Sequence, residues 1–429
     1  MIERTRRSRR SAIAAGGVGA ALVLTLATNG ASAVPTPKPT PKATLSTANC
    51  APVDGVTPSS IKFAIIQSLT GANAANFKGF NEAVNLRLAQ ENAKGGIYGR
   101  KLTSVLLDDA SNGATQSTVA TKAIQDEKAF AVIQETTQET MMPLFKAVGM
   151  PVIGITNGPS ISSDRNAFPA GGVTSLLYTT NTAAKRIAQS GVTKMATIAF
   201  PVPAALQTAT SWNATLPSVG MTEVLRINDA PFGAYDATST ALRIKQSGAE
   251  GAFLILLVDG GVSVMSALKQ QGITLKAPYM AGLSDPAVIA STRGALDGVF
   301  GSTYGTVPGT VTSRPGVRTY VNGMKAAGLN PYGASPPLGY VSADTFIKGL
   351  KAAGRCPTRA GLINALRTAK GFDGNGMLPA PISYRPGLTP TGTPSKCAWF
   401  IQVVNGQMVA DKTVTCGQLV EIATGKVVG

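Results

Sequence analysis

From Ile61 onward, short apolar runs and stretches of helical periodicity take turns along the chain. Ile61 to Ile66 is a short, mostly apolar run, as expected of a strand buried on both faces. Phe77, Phe80, Val84 and Leu88 then recur at helical spacing, and Gly95-Gly96 ends that helix. Leu102 to Leu107 predicts the next strand, which runs into Asp108-Asp109. Val119, Ala120, Ala123 and Ile124 mark a second amphipathic helix. Ala129 to Ile133 predicts a third strand, Met141 to Val148 a helix and Val152 to Ile155 a fourth strand. Alternation of this kind implies right-handed crossovers and a parallel sheet covered by helices on both faces.

A second cycle begins near Thr182. Its strands are Met195 to Phe200, Thr222 to Ile227, Gly251 to Val258 and Pro278 to Ala281. The helices between them are Ala204 to Leu216, Tyr235 to Ser247 and Val262 to Gln271. Two α/β units of similar size suggest two lobes with room for a ligand between them. The last third is mostly helical (Arg314 to Ala327, Val341 to Ala353, Thr358 to Thr368) and is expected to return to the first lobe.

Composition narrows the chemistry. The chain of 429 residues contains no histidine, which removes Ser-His-Asp and Cys-His nucleophiles and any imidazole-dependent metal site. No enzyme activity, metal or cofactor is expected. Lysine and arginine outnumber acids 39 to 22, but beyond Ala33 no basic run exceeds two residues. Nucleic-acid binders concentrate charge on one face or in one motif, so none is expected here. A weak attraction to an anionic cell envelope is the better use of the surplus.

The N-terminus reads as an export signal over residues 1–33. Arg4, Arg6, Arg7, Arg9 and Arg10 precede the uncharged apolar stretch Ala12 to Thr28, and Ala31-Ser32-Ala33 fits a cleavage site. No cysteine follows closely, so the exported protein, periplasmic or cell-envelope associated, is expected to be unlipidated. Val34 to Thr44 alternates proline with polar residues and predicts a stiff spacer of ~30 Å, within a lead-in over residues 34–59. In an oxidising compartment Cys50, Cys356, Cys397 and Cys416 would form two disulfides, for which three connectivities exist. Cys397 and Cys416 flank a strand-turn-strand pattern around Asn405-Gly406, which favours that pair and leaves Cys50 with Cys356.

Asn92 to Asp109 reads NAKGGIYGRKLTSVLLDD. Glycine at 95, 96 and 99 suits a tight helix-to-strand turn, and Arg100 can cap backbone carbonyls. The segment resembles the hallmark of the Leu/Ile/Val-binding-protein family of ABC-transporter receptors. Phe130 to Ile133, Gly149 to Ile153 and Tyr340 to Asp344 match the same family in order. The resemblance implies a type I periplasmic-binding-protein fold: two doubly wound parallel-sheet lobes, three hinge crossovers and a ligand cleft. On that basis residues 60–178 and 306–378 form lobe 1, and residues 179–305 and 379–429 form lobe 2.

In such folds ligands sit at the carboxyl ends of the strands, beside helix N-termini. The loops in question are Gln67 to Gly71, Glu135 to Gln138 and Thr156 to Gly158 in the first lobe. Ser68 and Thr70 are candidates in the first of these. By family resemblance, Thr136, Thr137, Thr156 and Asn157 would contact a ligand carboxylate, the alternative being that they cap helices. In the second lobe the matching loops are Pro201 to Pro203, Val258 to Gly261 and Leu283 to Asp285. There Asp285, with Ser284 beside it, fits an acid that pairs with a ligand ammonium, or else caps the helix beginning at Pro286. Two positions depart from the family: Gln134-Glu135 stands where a glycine is common, and Pro201-Val202-Pro203 lacks a tyrosine that often walls the site. The implied function is that of the substrate-binding component of an ABC importer. It would be a monomer that binds an amino acid or related small carboxylate or amide and docks on a membrane permease. The alternative is a ligand-sensing receptor domain acting with a membrane partner.

Overall fold

The structure, a computed structural model, describes residues 50–428 except 73, 156–159, 161–162, 173–174 and 304. The export signal, most of the Pro-rich lead-in, Thr156 and Asn157 lie outside the described residues.

The first sheet holds β1 (Ser60–Gln67), β2 (Lys101–Asp108), β3 (Val132–Glu135), β4 (Val152–Ile155) and β5 (Ala167–Pro169) in the order β2-β1-β3-β4-β5, all parallel. Its two faces separate by strand alternation. Ile61, Phe63, Ile65 and Ile133 face a core shared with α1 (Phe80–Ala93) and the late helices, whereas Ala64, Ile66 and Val132 face α2 (Gly113–Gln125) and α3 (Met142–Ala147). The hallmark turn works as its composition requires. Gly96 has φ +71°, and a Cβ there would lie 2.0 Å from the Arg100 carbonyl oxygen. Asn92 pairs with Leu102 through both donor and acceptor, at 2.9 and 2.8 Å, and so starts the strand register. Buried Arg100 donates to the carbonyls of Thr57 at 2.8 Å and Arg355 at 2.7 Å.

The second sheet runs β14-β13-β11-β10-β9-β7-β8. Its parallel part is β7 (Lys194–Ala199), β8 (Thr222–Ile227), β9 (Gly251–Ile255), β10 (Ala277–Ala281) and β11 (Phe300–Ser302). The hairpin of β13 (Phe400–Val404) and β14 (Gln407–Ala410) adds to it antiparallel. Asn405 and Gly406 both have positive φ, the turn geometry that matches strand twist. Val258 to Gly261, expected as a loop, instead forms the first turn of a helix, Val258–Gln270, because Gly260 and Gly261 are buried there and leave no side chain to clash.

The late helices return to the first lobe. Ser335–Ala353 is buried along nearly its whole length and packs against α1 and Arg359–Thr368. Buried Arg87 pairs with Glu91 at 3.1 Å and with Asp344 at 3.0 Å, which ties α1 to that long helix. Ile382 and Tyr384, expected in the second lobe, are buried in the first core. There Tyr384 packs edge-on against Phe168 and donates to the Pro169 carbonyl. Two glycines at the crossovers between the lobes bring chain segments close together. A Cβ on Gly305 would lie 2.2 Å from the Gly171 oxygen, and one on Gly172 would lie 2.9 Å from Ser395 Cβ.

Both disulfides link the favoured partners. Cys397 and Cys416 face each other in a two-stranded pair, and Cys50 is bonded to Cys356 across 306 residues of chain.

Candidate functional site

The carboxyl ends of β1, β2 and β3 meet around Asp109, which is fully buried. Ser68 Oγ donates to its Oδ1 at 2.6 Å, and the Ser111 N–H donates to the same oxygen at 3.0 Å. Thr136 Oγ1 and Gln116 Nε2 donate to Oδ2, the latter at 3.2 Å. Gln116 also donates to Thr136 Oγ1 and to the Gln138 carbonyl, both at 3.0 Å. Ser68 and Thr136, both candidates for ligand contact, therefore spend their protons on Asp109. What remains to them is acceptor capacity and the shaping of the loop wall.

Thr70 lies outside this hub, on an exposed loop, and donates to Asp108 Oδ2 at 2.6 Å. Burial opposes the Asp108 charge. Hydrogen bonds from Thr70 and from the N–H groups of Ala110, Leu69 and Thr70 outweigh it and hold the carboxyl below the ordinary range. Thr137 is exposed and accepts from Gln138 Nε2 at 3.4 Å. Beside the end of β1 a cavity of about 350 Å³ is bordered by Gln67, Leu69, Lys78, Asn81 and Glu82.

Glu135 ends β3 on the opposite face from Asp109. It is only 1% exposed, and its Oε2 has no hydrogen-bond partner. Ser335 is its neighbour, but the Ser335 hydroxyl donates to the Asn76 carbonyl at 2.8 Å, so the serine oxygen can only accept from Glu135. Burial pushes the Glu135 carboxyl well above the ordinary range. Both observations disfavour the charged form.

In the second lobe, Ser284 is buried and bonds to the Gly282 carbonyl at 3.2 Å. Asp285 caps the helix Pro286–Ser291, with Oδ1 accepting from the Ala287 N–H at 2.9 Å. Its Oδ2 accepts from Asn330 Nδ2 at 2.9 Å. Pro203 occupies the first turn of the helix that follows β7. Apolar groups are prominent on this side: Phe232, 56% exposed, lies tilted against Phe200 with ring centroids 4.6 Å apart, and Leu257 is exposed ahead of its helix. The hub at Asp109 has a trace in the sequence, the paired acids ending the hallmark strand. The Asn330 contact has none, because its partner lies 45 residues away on another element.

This arrangement, two parallel-sheet lobes whose strand ends carry the polar loops, is matched by the model of the periplasmic binding proteins over residues 60–407. The chain belongs to that family. Family members are substrate-binding proteins, not enzymes, and binding of a solute is accordingly the role of this chain. Among curated proteins none matches it. Many solved structures share its fold. A branched-chain amino acid ABC transporter protein from Thermus thermophilus with bound valine superposes with TM-score 0.67 at 15% identity, covering 83% of this chain and 97% of that one. A solute-binding protein from Rhodopseudomonas palustris in complex with p-hydroxybenzoic acid gives 0.66 at 17%, covering 84% and 97%. A fatty acid ABC transporter substrate-binding protein from Thermomonospora curvata gives 0.63 at 18%, covering 85% and 94%. These likenesses establish the fold. Among the described residues no helix is long and apolar enough to cross a membrane.

Proposed function

We propose that this periplasmic binding protein is the extracytoplasmic substrate-binding component of an ABC importer. It takes an amino acid or related small carboxylate or amide between its lobes. The observation that carries the reading is the close passage of the chain at Gly171–Gly305 and Gly172–Ser395, a joint between two distinct hydrophobic cores about which the lobes can close. The valine, p-hydroxybenzoic acid and fatty acid named for the structural neighbours define the range to search, small molecules with an apolar body. Exposed Phe232, beside half-buried Phe200, and exposed Leu257 suit such a body. In this reading Thr70, Thr137, Thr156 and Asn157 meet the polar head. Ser68 and Thr136 hold the loop wall through Asp109, and Ser284 and Asp285 close the far edge. The chain is exported through its first 33 residues, remains unlipidated and monomeric, and presents its closed form to a membrane permease.

The test is a thermal-shift screen of the chain from Val34 onward, disulfides formed, against amino acids, amides, aromatic acids and fatty acids. A ligand at about 1,000 times its dissociation constant stabilises by about 4 kcal/mol, a shift of several degrees. The expected result is a shift with one chemical class. No shift across the panel would sink the receptor reading.

A further inference from the structure

Ser284 and Asp285, in addition to their partners within the second lobe, each make a hydrogen bond to the first lobe. Besides the Asn330–Asp285 bond at 2.9 Å, the Gly333 N–H reaches the Ser284 carbonyl at 3.4 Å. Both sides of the contact are anchored in their own cores. On the second-lobe side, Leu283 is buried in the sheet core, the Gly282 N–H bonds to the Ser302 carbonyl at 2.7 Å, and Asp285 is held by its helix cap. On the first-lobe side, Tyr320 donates to the Pro331 carbonyl at 2.8 Å, Leu329 packs on the first core, and Ser335 is tied to Asn76. The orientation of the Asn330 amide follows from its other partner. Its Oδ1 accepts from the Tyr332 N–H at 2.9 Å, which leaves the amide nitrogen for the carboxylate.

The location gives the contact its meaning. Ser284 follows the carboxyl end of β10, and Ser335, two residues beyond Gly333, lies beside Glu135 at the carboxyl end of β3. The contact thus joins the crevice-facing ends of the two sheets rather than the crossovers. We infer that residues 330–335 and the Ser284–Asp285 loop form a latch across the crevice, so that opening the lobes must break the Asp285–Asn330 hydrogen bond. This rests on the hinged-receptor reading and adds to it a device that biases the hinge before any ligand contributes. Even an exposed hydrogen bond of ordinary strength moves a two-state ratio roughly a few-fold.

The test measures distance between lobes without ligand, so its outcome is independent of the ligand screen. Spin labels are placed at two exposed positions, Lys122→Cys on the first lobe and Lys245→Cys on the second, and the distance distribution is read by double electron–electron resonance. Asn330→Asp keeps the acceptor for Tyr332 but sets two carboxylates against each other. It is expected to shift the distribution toward the open form. Adding Asp285→Asn restores a donor–acceptor pair of reversed polarity and keeps a good helix cap, and is expected to return the distribution to that of the parent. Asn330 is exposed, so both variants should fold, and thermal melts check this. An unchanged distribution in Asn330→Asp, or a double variant as open as the single one, overturns the latch.

Discussion

Asp109 and Glu135 are both buried carboxyls at the crevice end of the first sheet, one on each face, yet their surroundings differ in kind. Asp109 receives two hydroxyls, an amide and a backbone N–H. Glu135 has one serine oxygen to bond to and one oxygen with nothing. A buried carboxylate with its lone pairs filled is a strut that fixes several strand ends at once. A buried carboxyl with an empty oxygen is tolerable chiefly when neutral. The same functional group therefore stiffens one face of the crevice floor and leaves the other sensitive to proton concentration.

Removing Asp109 should have the largest effect. Asp109→Ala takes away the shared acceptor of four donors, of which Gln116 keeps others, and a stability loss of about 3 kcal/mol or more is expected in urea denaturation. A loss under about 1 kcal/mol would mean that the hub is not a strut. Next is the pH profile of Glu135. Its folded pKa lies above the ordinary value of 4.5, so the folded chain keeps a proton that the unfolded chain releases. Its contribution to stability is full below that ordinary value and declines as pH rises above it, by up to about 1.4 kcal/mol per pH unit until the folded pKa is passed. Glu135→Gln imitates the neutral acid and should flatten that decline. Parallel melting curves for the two proteins across pH 4 to 8 would show that Glu135 is charged. The smallest effect tests the redundancy of the hub. Ser68→Ala removes one donor of four and should cost about 1 kcal/mol with no change in the pH slope. A loss equal to that of Asp109→Ala would show that Ser68, not the acid, organises the loops.

Much of this was legible in the residues. The strands buried on both faces announce themselves as apolar runs, and the hallmark at Asn92–Asp109 specifies a turn that few sequences other than Gly-rich ones can make. Less visible were the three-residue strands Ala167–Pro169 and Phe300–Ser302, too short for any period to register. Gly260 and Gly261 read as a loop because glycine disfavours helix, yet close packing against Leu256 and Met280 requires them inside one. Ser68 and Thr136 follow the ends of β1 and β3, where the apolar runs stop. Their partners were not legible, since whether Ser68 donates to a ligand or to Asp109 is decided by a residue 41 positions away.

The bond between Cys50 and Cys356 has a mechanical consequence. A pull on the chain ahead of Cys50 is delivered through sulfur to the link before the helix Arg359–Thr368, where Arg100 also grips the Arg355 carbonyl. Tension is therefore shared at Cys50 between the disulfide and the backbone leading to β1, and both paths end in the first lobe. A molecule held by its leading segment can swing at its joint as freely as one that is not held at all.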